Sequence, residues 1–84
     1  MENADVQLLT FSEVLAGLKA GKQYARKGWN GKDLSVRLTT DNGIVVCGCV
    51  LRSFFMLFNR NDMSANTWVP SVSDLLAEDW YEVF

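Results

Sequence analysis

The sequence contains no histidine, so it lacks the side chain that titrates nearest neutrality and serves most proton-transfer chemistry. No Gly-rich phosphate loop, Ser-centred elbow or carboxylate-rich metal motif takes its place. An enzyme is therefore the less favoured class, and no catalytic residue, metal or cofactor is expected. The only cysteines are Cys47 and Cys49, and "VCGCV" is not the C-x-x-C of redox and zinc sites. On a strand the two would face one side, as small buried or edge hydrophobes kept reduced in a cytosol. Proline occurs once, at Pro70, while 49% of residues are apolar and 21% charged, a balance that describes an ordered globular chain. No apolar run approaches the roughly 20 residues that span a bilayer, and the opening "MENADVQLL" is acidic where a secretory signal is basic. A cytosolic protein without a membrane partner is the expectation.

Positive charge is also scarce overall. The formal net charge of −2 argues against a duplex-nucleic-acid binder, which needs a basic face to replace phosphate counterions. The distribution is uneven, however. Lys19, Lys22, Arg26, Lys27, Lys32 and Arg37 face only Asp33 between residues 19 and 37, a patch that suits an anionic small molecule. Asp74, Glu78, Asp79 and Glu82 form an acidic stretch near the other end, so the two regions can also attract each other within the fold or between subunits. With 84 residues the chain is one domain, 1–84, of a size at which association with further copies helps to bury surface.

In "TFSEVLAGLKAGK", Phe11, Val14, Leu15 and Leu18 fall on one face of a helix. Thr10 and Glu13 have capping-box spacing, and Gly21 supplies a left-handed stop. The period then changes to two. Tyr24 to Arg26 reads as a short strand, and "LSVRLTT" sets Leu34, Val36 and Leu38 against Ser35, Arg37 and Thr39 as a half-exposed strand. "DNG" at 41–43 predicts a hairpin turn with "IVVCGCV" as the returning strand. "RSFFMLFNR" is a further strand, with a turn near Asn61 and Asp62 and a short strand ending at Trp68. After Pro70, Ser71 and Asp74 have the spacing of a second capping box opening a helical turn, and "DWYEVF" closes as a strand with Trp80 and Tyr81 on opposite faces. The fold class expected is α+β, an antiparallel β-sheet with one N-terminal amphipathic helix packed on it and a short helical turn before the last strand.

Two tryptophans, Trp29 in "RKGWNGK" and Trp68, stand where ordered elements meet loops. An indole there can pack the helix on the sheet or offer a face on which a nucleobase stacks, worth about 1–3 kcal/mol per base. Around Trp29, Arg26 and Lys27 can meet phosphate, and Asn30 can donate to and accept from a base edge or ribose. Gly28 and Gly31 serve a close backbone approach or simply the turn. Ser71 opens a helix whose free amides favour an anion, although capping accounts for it equally. Adjacent acids at Glu78 and Asp79 would face opposite sides of a strand.

The blocks "FSEVLAGLKAGKQYARKGWNGK" and "WVPSVSDLLAEDW" together resemble a small phage and prophage family, the Thoeris anti-defence sponges. The resemblance implies a non-catalytic protein that binds and sequesters a cyclic ADP-ribose signal of Thoeris immunity, a glycocyclic ADP-ribose isomer, without cleaving it. It further implies a homotetramer built from dimers, with ligand pockets where subunits meet. By motif match, Trp29 follows the family's R-x-G and Trp68 opens its W-x-P-S block. These two would be base-stacking walls, with Arg26 and Asn30 on the phosphate or ribose side and Ser71 and Asp74 in the second block. Asp79 and Trp80 match the closing D-W and read as structural. Val72 stands where the family commonly has glutamine, and residues 41–60 carry no matching motif. Another cyclic nucleotide signal, or a protein partner met through the apolar stretch from Phe54 to Phe58, stays open as an alternative.

Overall fold

The computed structural model describes residues 7–29, 33–39 and 44–84. Its first element is helix α1, Phe11–Lys19, and both halves of the expected capping box form. The Glu13 amide donates to the Thr10 hydroxyl and the Thr10 amide donates to the Glu13 carboxylate at 2.9 Å. Phe11, Val14 and Leu18 are buried along one stripe. The chain leaves the helix through Gly21, whose φ of 91° a residue with a Cβ rarely adopts.

Strand β1, Gln23–Arg26, follows, then β2, Leu34–Leu38; β3, Val45–Val46; β4, Cys49–Val50; β5, Phe55–Asn59; and β6, Ser64–Thr67. Helix α2, Val72–Leu76, and strand β7, Trp80–Val83, complete the chain. Five strands form one antiparallel sheet in the order β6-β5-β2-β1-β7, and α1 packs over its β2-β1-β7 end. The α+β expectation is therefore met.

Helix and sheet meet through Val14, Leu18, Tyr24, Val36 and Trp80. Tyr24 lies directly under Gly17, where a Cβ would overlap the phenol hydroxyl and ring. The absence of a side chain at Gly17 is thus what lets α1 sit down on β1. Trp80, fully buried, opens β7, and its backbone pairs with Leu9 ahead of α1 (Leu9 N–H to Trp80 O, 2.8 Å). Both ends of the described chain are thereby tied to one sheet edge.

Two expectations fail. The partner of β2 is β5, in the register Leu34↔Asn59 to Leu38↔Phe55, and not the segment after "DNG". Residues 44–51 instead fold on themselves as a ribbon, Val45↔Val50 and Val46↔Cys49. Cys47 (φ 51°) and Gly48 (φ 79°) take positive φ at its two-residue turn, the requirement of a type I′ hairpin. The register explains the choice: β2 and β5 pair Val36 with Leu57 on the helix-facing side, whereas consecutive apolar residues in 44–51 give no single inward face. The Asn42-Gly43 turn lies outside the described residues. Cys47 and Cys49 are exposed rather than buried, and Cys47 belongs to the turn, so the shared strand face is also corrected.

The other departure concerns the sheet face away from α1. Ser35 alternates as expected, yet it is buried. It is small, it stands opposite Phe58 in the register, and its hydroxyl donates to Gln23 Oε1 at 3.2 Å. The stretch from Phe54 to Phe58 is half-buried and largely forms β5, which lies inside the sheet rather than at an edge.

Candidate functional site

Helix α2 begins at Pro70-Ser71 with the second capping box intact. The Ser71 amide and hydroxyl donate to Asp74 Oδ2 at 2.9 and 3.0 Å, and the Asp74 amide donates back to Ser71 Oγ at 3.1 Å. That box fixes the rotation of the helix so that Asp74 points inward and is buried. There it meets Arg26 from the end of β1, whose Nη1 donates to Asp74 Oδ1 at 3.0 Å and whose Nε donates to Asp79 Oδ1 at 2.8 Å. One guanidinium therefore bridges two carboxylates 5 residues apart in sequence, a span that suits the planar fork of arginine.

The turn after β1 is clamped to the same acids. Lys27 N–H donates to Asp79 O at 3.1 Å, Gly28 N–H donates to Asp79 Oδ2 at 3.0 Å, and Trp29 N–H donates to Arg26 O at 3.2 Å. A Cβ at Gly28 would stand 3.0 Å from Asp79 Oδ2, so the glycine keeps that carboxylate against the backbone. The Trp29 indole adds a smaller influence that helps hold the Asp74 carboxyl down. Trp80 Nε1 donates to the Asp74 carbonyl at 3.0 Å. Asp74 thus holds Arg26 and Ser71 through its carboxylate and Trp80 through its carbonyl.

The electrostatics follow. Burial pushes the Asp74 carboxyl upward, but hydrogen bonds from Ser71 and Arg26, with the smaller influence of the Trp29 indole, outweigh it and hold it below the ordinary carboxylate range. Asp79 is held down chiefly by its hydrogen bond from Arg26, against the opposing effect of burial. Arg26 is raised, first by Asp79 and also by Asp74. Two carboxylates kept ionised by one guanidinium are poor proton donors near neutrality. The cluster ties the end of β1, the turn after it and α2 together. The expected attraction between the basic and acidic segments is realised here, and Lys22 adds a looser pair with Glu82 at 3.9 Å.

Above the polar cluster lies an aromatic one. Trp29 meets Trp80 at a ring-centroid distance of 5.3 Å and 78°, and Trp68 at 6.4 Å and 70°. Trp68 also touches Phe11, Phe55 and Trp80. These are tilted and edge-to-face contacts, which the ring quadrupoles favour over a face-to-face sandwich. Trp29 and Trp68 remain half-buried while Trp80 is sealed. Rings already touching edge to face leave no slot between them, so a base would lie on their outer faces. Trp29 thus packs on the core through its contacts with Trp80 and Trp68, and the residue stays half exposed.

Five of the six residues singled out from the sequence, Arg26, Trp29, Trp68, Ser71 and Asp74, come together in this one region; Asn30 lies outside the described residues. Asp79 joins them, which the sequence reading assigned only a structural part; its signal was the acidic stretch facing the basic one. A shallow depression lined by Phe58, Asn59, Arg60 and Met63 sits at the opposite end of the β5–β6 hairpin from Trp68. Among the described residues no three His, Cys, Asp or Glu side chains gather as a metal cluster, and no helix is long and apolar enough to cross a membrane.

The class these features define is a small α+β domain whose aromatic face is braced by a partly buried ion network. A profile of the Thoeris anti-defense 2-like domain matches residues 9–83. The protein named Thoeris anti-defense 2 of Bacillus phage SP01 is 36% identical over 81 residues, covering 86% of this chain and 91% of that protein. The chain belongs to the Thoeris anti-defense 2-like family. Membership supports an anti-Thoeris role.

Proposed function

We infer that the protein counters Thoeris by binding and sequestering a cyclic ADP-ribose-type signal, glycocyclic ADP-ribose, without cleaving it, so that the effector is never activated. The observation that carries this reading is the half-exposed pair Trp29 and Trp68, held edge to face beside a turn that carries exposed Lys27. A nucleotide offers that surface a base to stack and phosphates to pair. In this reading Trp29 and Trp68 contact the adenine, Ser71 and Asn30 reach ribose or phosphate, and Arg26 with Asp74 sets the floor on which the tryptophans stand. The ligand is held by a homotetramer in the host bacterial cytosol, with no metal, cofactor, duplex nucleic acid or membrane involved.

The test is capture and release. Purified protein is incubated with glycocyclic ADP-ribose, freed of unbound ligand, and heat-denatured; mass spectrometry then reads the supernatant. Intact ligand, released only after denaturation, is the expected result. No captured ligand would overturn the proposal for this signal, and a chemically altered product would return the protein to the enzyme class. Trp29→Ala is expected to lose capture while its sedimentation coefficient stays that of the unsubstituted protein. A parallel screen of other cyclic nucleotides identifies a different signal if one is preferred.

A further inference from the structure

The polar groups around Trp29 and Trp68 are not equally free. The Arg26 guanidinium spends Nε on Asp79 and Nη1 on Asp74, at 2.8 and 3.0 Å, and its side chain is only 19% exposed. For Arg26 to turn to a phosphate, two partly buried carboxylates would lose the charge that compensates them, which is strongly unfavourable. Ser71 is committed as well. Its amide and its hydroxyl both donate to Asp74 Oδ2, so the hydroxyl oxygen is left to accept, a role that suits a ribose hydroxyl and not a phosphate oxygen.

Charge points the same way. One guanidinium against two carboxylates leaves the network beside the tryptophans net negative, and Glu78, next to Asp79, is exposed and adds to it. An anionic ligand meets no spare positive charge there. The cation left over is Lys27, which is exposed and whose side chain enters no ion pair among the described residues. Its backbone, in contrast, is fixed. Trp29 N–H donates to Arg26 O and closes a turn with Lys27 and Gly28 at its centre, and Asp79 accepts from the amides of both through its carbonyl and Oδ2. A ligand that meets the Lys27 ammonium therefore has to order the side-chain stem and not the loop that carries it.

We propose that Lys27, and not Arg26, receives the pyrophosphate of the bound nucleotide, with Asp79 holding the Lys27 backbone in place. The ligand then lies in one sense across the face: base on the outer faces of Trp29 and Trp68, phosphates towards the turn after β1, ribose hydroxyl towards Ser71. The assignment rests on the nucleotide reading above and deepens it by separating the cation that touches the ligand from the cation that belongs to the scaffold.

The experiment is calorimetric titration of glycocyclic ADP-ribose into four proteins: the unsubstituted chain, Lys27→Gln, Lys27→Arg and Lys22→Ala, each at low and at high sodium chloride. Because the clamp uses the backbone of Lys27 and not its side chain, the substitutions leave it intact, and the melting temperature of each protein checks this. Lys27→Gln is expected to bind about 10–100-fold more weakly, the loss of one charge-assisted contact, and to lose most of the weakening by salt that the unsubstituted protein shows. Lys27→Arg is expected to keep that salt dependence, since a phosphate accepts from either cation. Lys22→Ala, an exposed cation elsewhere on the domain, is expected to bind as the unsubstituted chain does.

If Lys27→Gln keeps both the affinity and the salt dependence, the role of Lys27 is overturned while sequestration stands. Lys27→Arg as weak and as salt-insensitive as Lys27→Gln overturns it too, for charge is then not what the residue contributes. Equal weakening by Lys22→Ala overturns it in favour of a diffuse field of the basic patch. Should the unsubstituted protein bind neither glycocyclic ADP-ribose nor any other cyclic nucleotide, the nucleotide reading fails and the assignment falls with it.

Discussion

Replacing Asp74 by asparagine is the sharpest probe of the site, because shape is kept while the charge that organises Arg26 and Ser71 is removed. One oxygen of Asp74 accepts from Ser71 and the other from Arg26 Nη1 at 3.0 Å. An amide cannot serve both, since its NH2 end must face one of those donors. The substitution forfeits a charge-assisted hydrogen bond, about 1.5–3 kcal/mol, and leaves a partly buried donor short of an acceptor. Arg26 keeps Asp79, which limits the damage. The expected loss is about 3 kcal/mol. For a domain of 84 residues the whole stability is on the order of 4–12 kcal/mol. The melting temperature should fall by roughly 12–24 °C. Urea titration followed by tryptophan emission reads the change, since Trp29, Trp68 and Trp80 lie around the substituted residue. The pH dependence gives an independent check. Asp74 is held below its ordinary value when folded, so its stabilisation is fully present above the unfolded carboxylate pKa, about 3.9, and is lost as pH falls through the depressed folded value. The gap between the two proteins should therefore be widest above pH ~4 and narrow in acid. A loss under about 0.5 kcal/mol, the scale of an ordinary surface substitution, or a gap that does not narrow, would refute the assignment of Asp74 as the organiser.

Gly17→Ala should destabilise the domain by about 1–3 kcal/mol through overpacking on Tyr24, although alanine is the better helix former; a stabilised variant in the same urea assay would contradict the contact. Arg26→Lys should cost about 1–3 kcal/mol, because an ammonium on a flexible stem cannot hold Asp74 and Asp79 together. It should also raise the acid midpoint of unfolding, as both carboxylates lose part of what depresses them. Lys22→Ala serves as the control: its pair with Glu82 is long and more than half exposed at the lysine, so the change should stay within about 0.5 kcal/mol.

What could be read from the sequence was what local chemistry decides. Thr10 with Glu13 and Ser71 with Asp74 announce their helices because both caps lie within one turn of the residues they serve. The alternation of Leu34, Val36 and Leu38 likewise announces β2. The partner of β2 was not legible, since "IVVCGCV" and "RSFFMLFNR" are both apolar and only packing against α1 chooses between them. Ser35 escaped for a related reason: its burial depends on Phe58 across the sheet. At the site, charge asymmetry indicated that basic and acidic segments attract. It could not indicate that Arg26 would span both Asp74 and Asp79 and thereby become part of the scaffold beneath Trp29.

That scaffold explains why α2 lies as it does. Hydrophobic burial alone would turn Val72 and Leu76 inward and leave Asp74 in water. The observed rotation is the reverse, and the force able to impose it is the convergence of Arg26 and Ser71 upon one carboxylate. Leaving two aliphatic side chains in water forgoes about 1.5–3 kcal/mol each, comparable to what the ion network returns. The two nearly cancel. The rotation of one five-residue helix is thus set by its carboxylate network, and its exposed aliphatic pair is the cost of that setting.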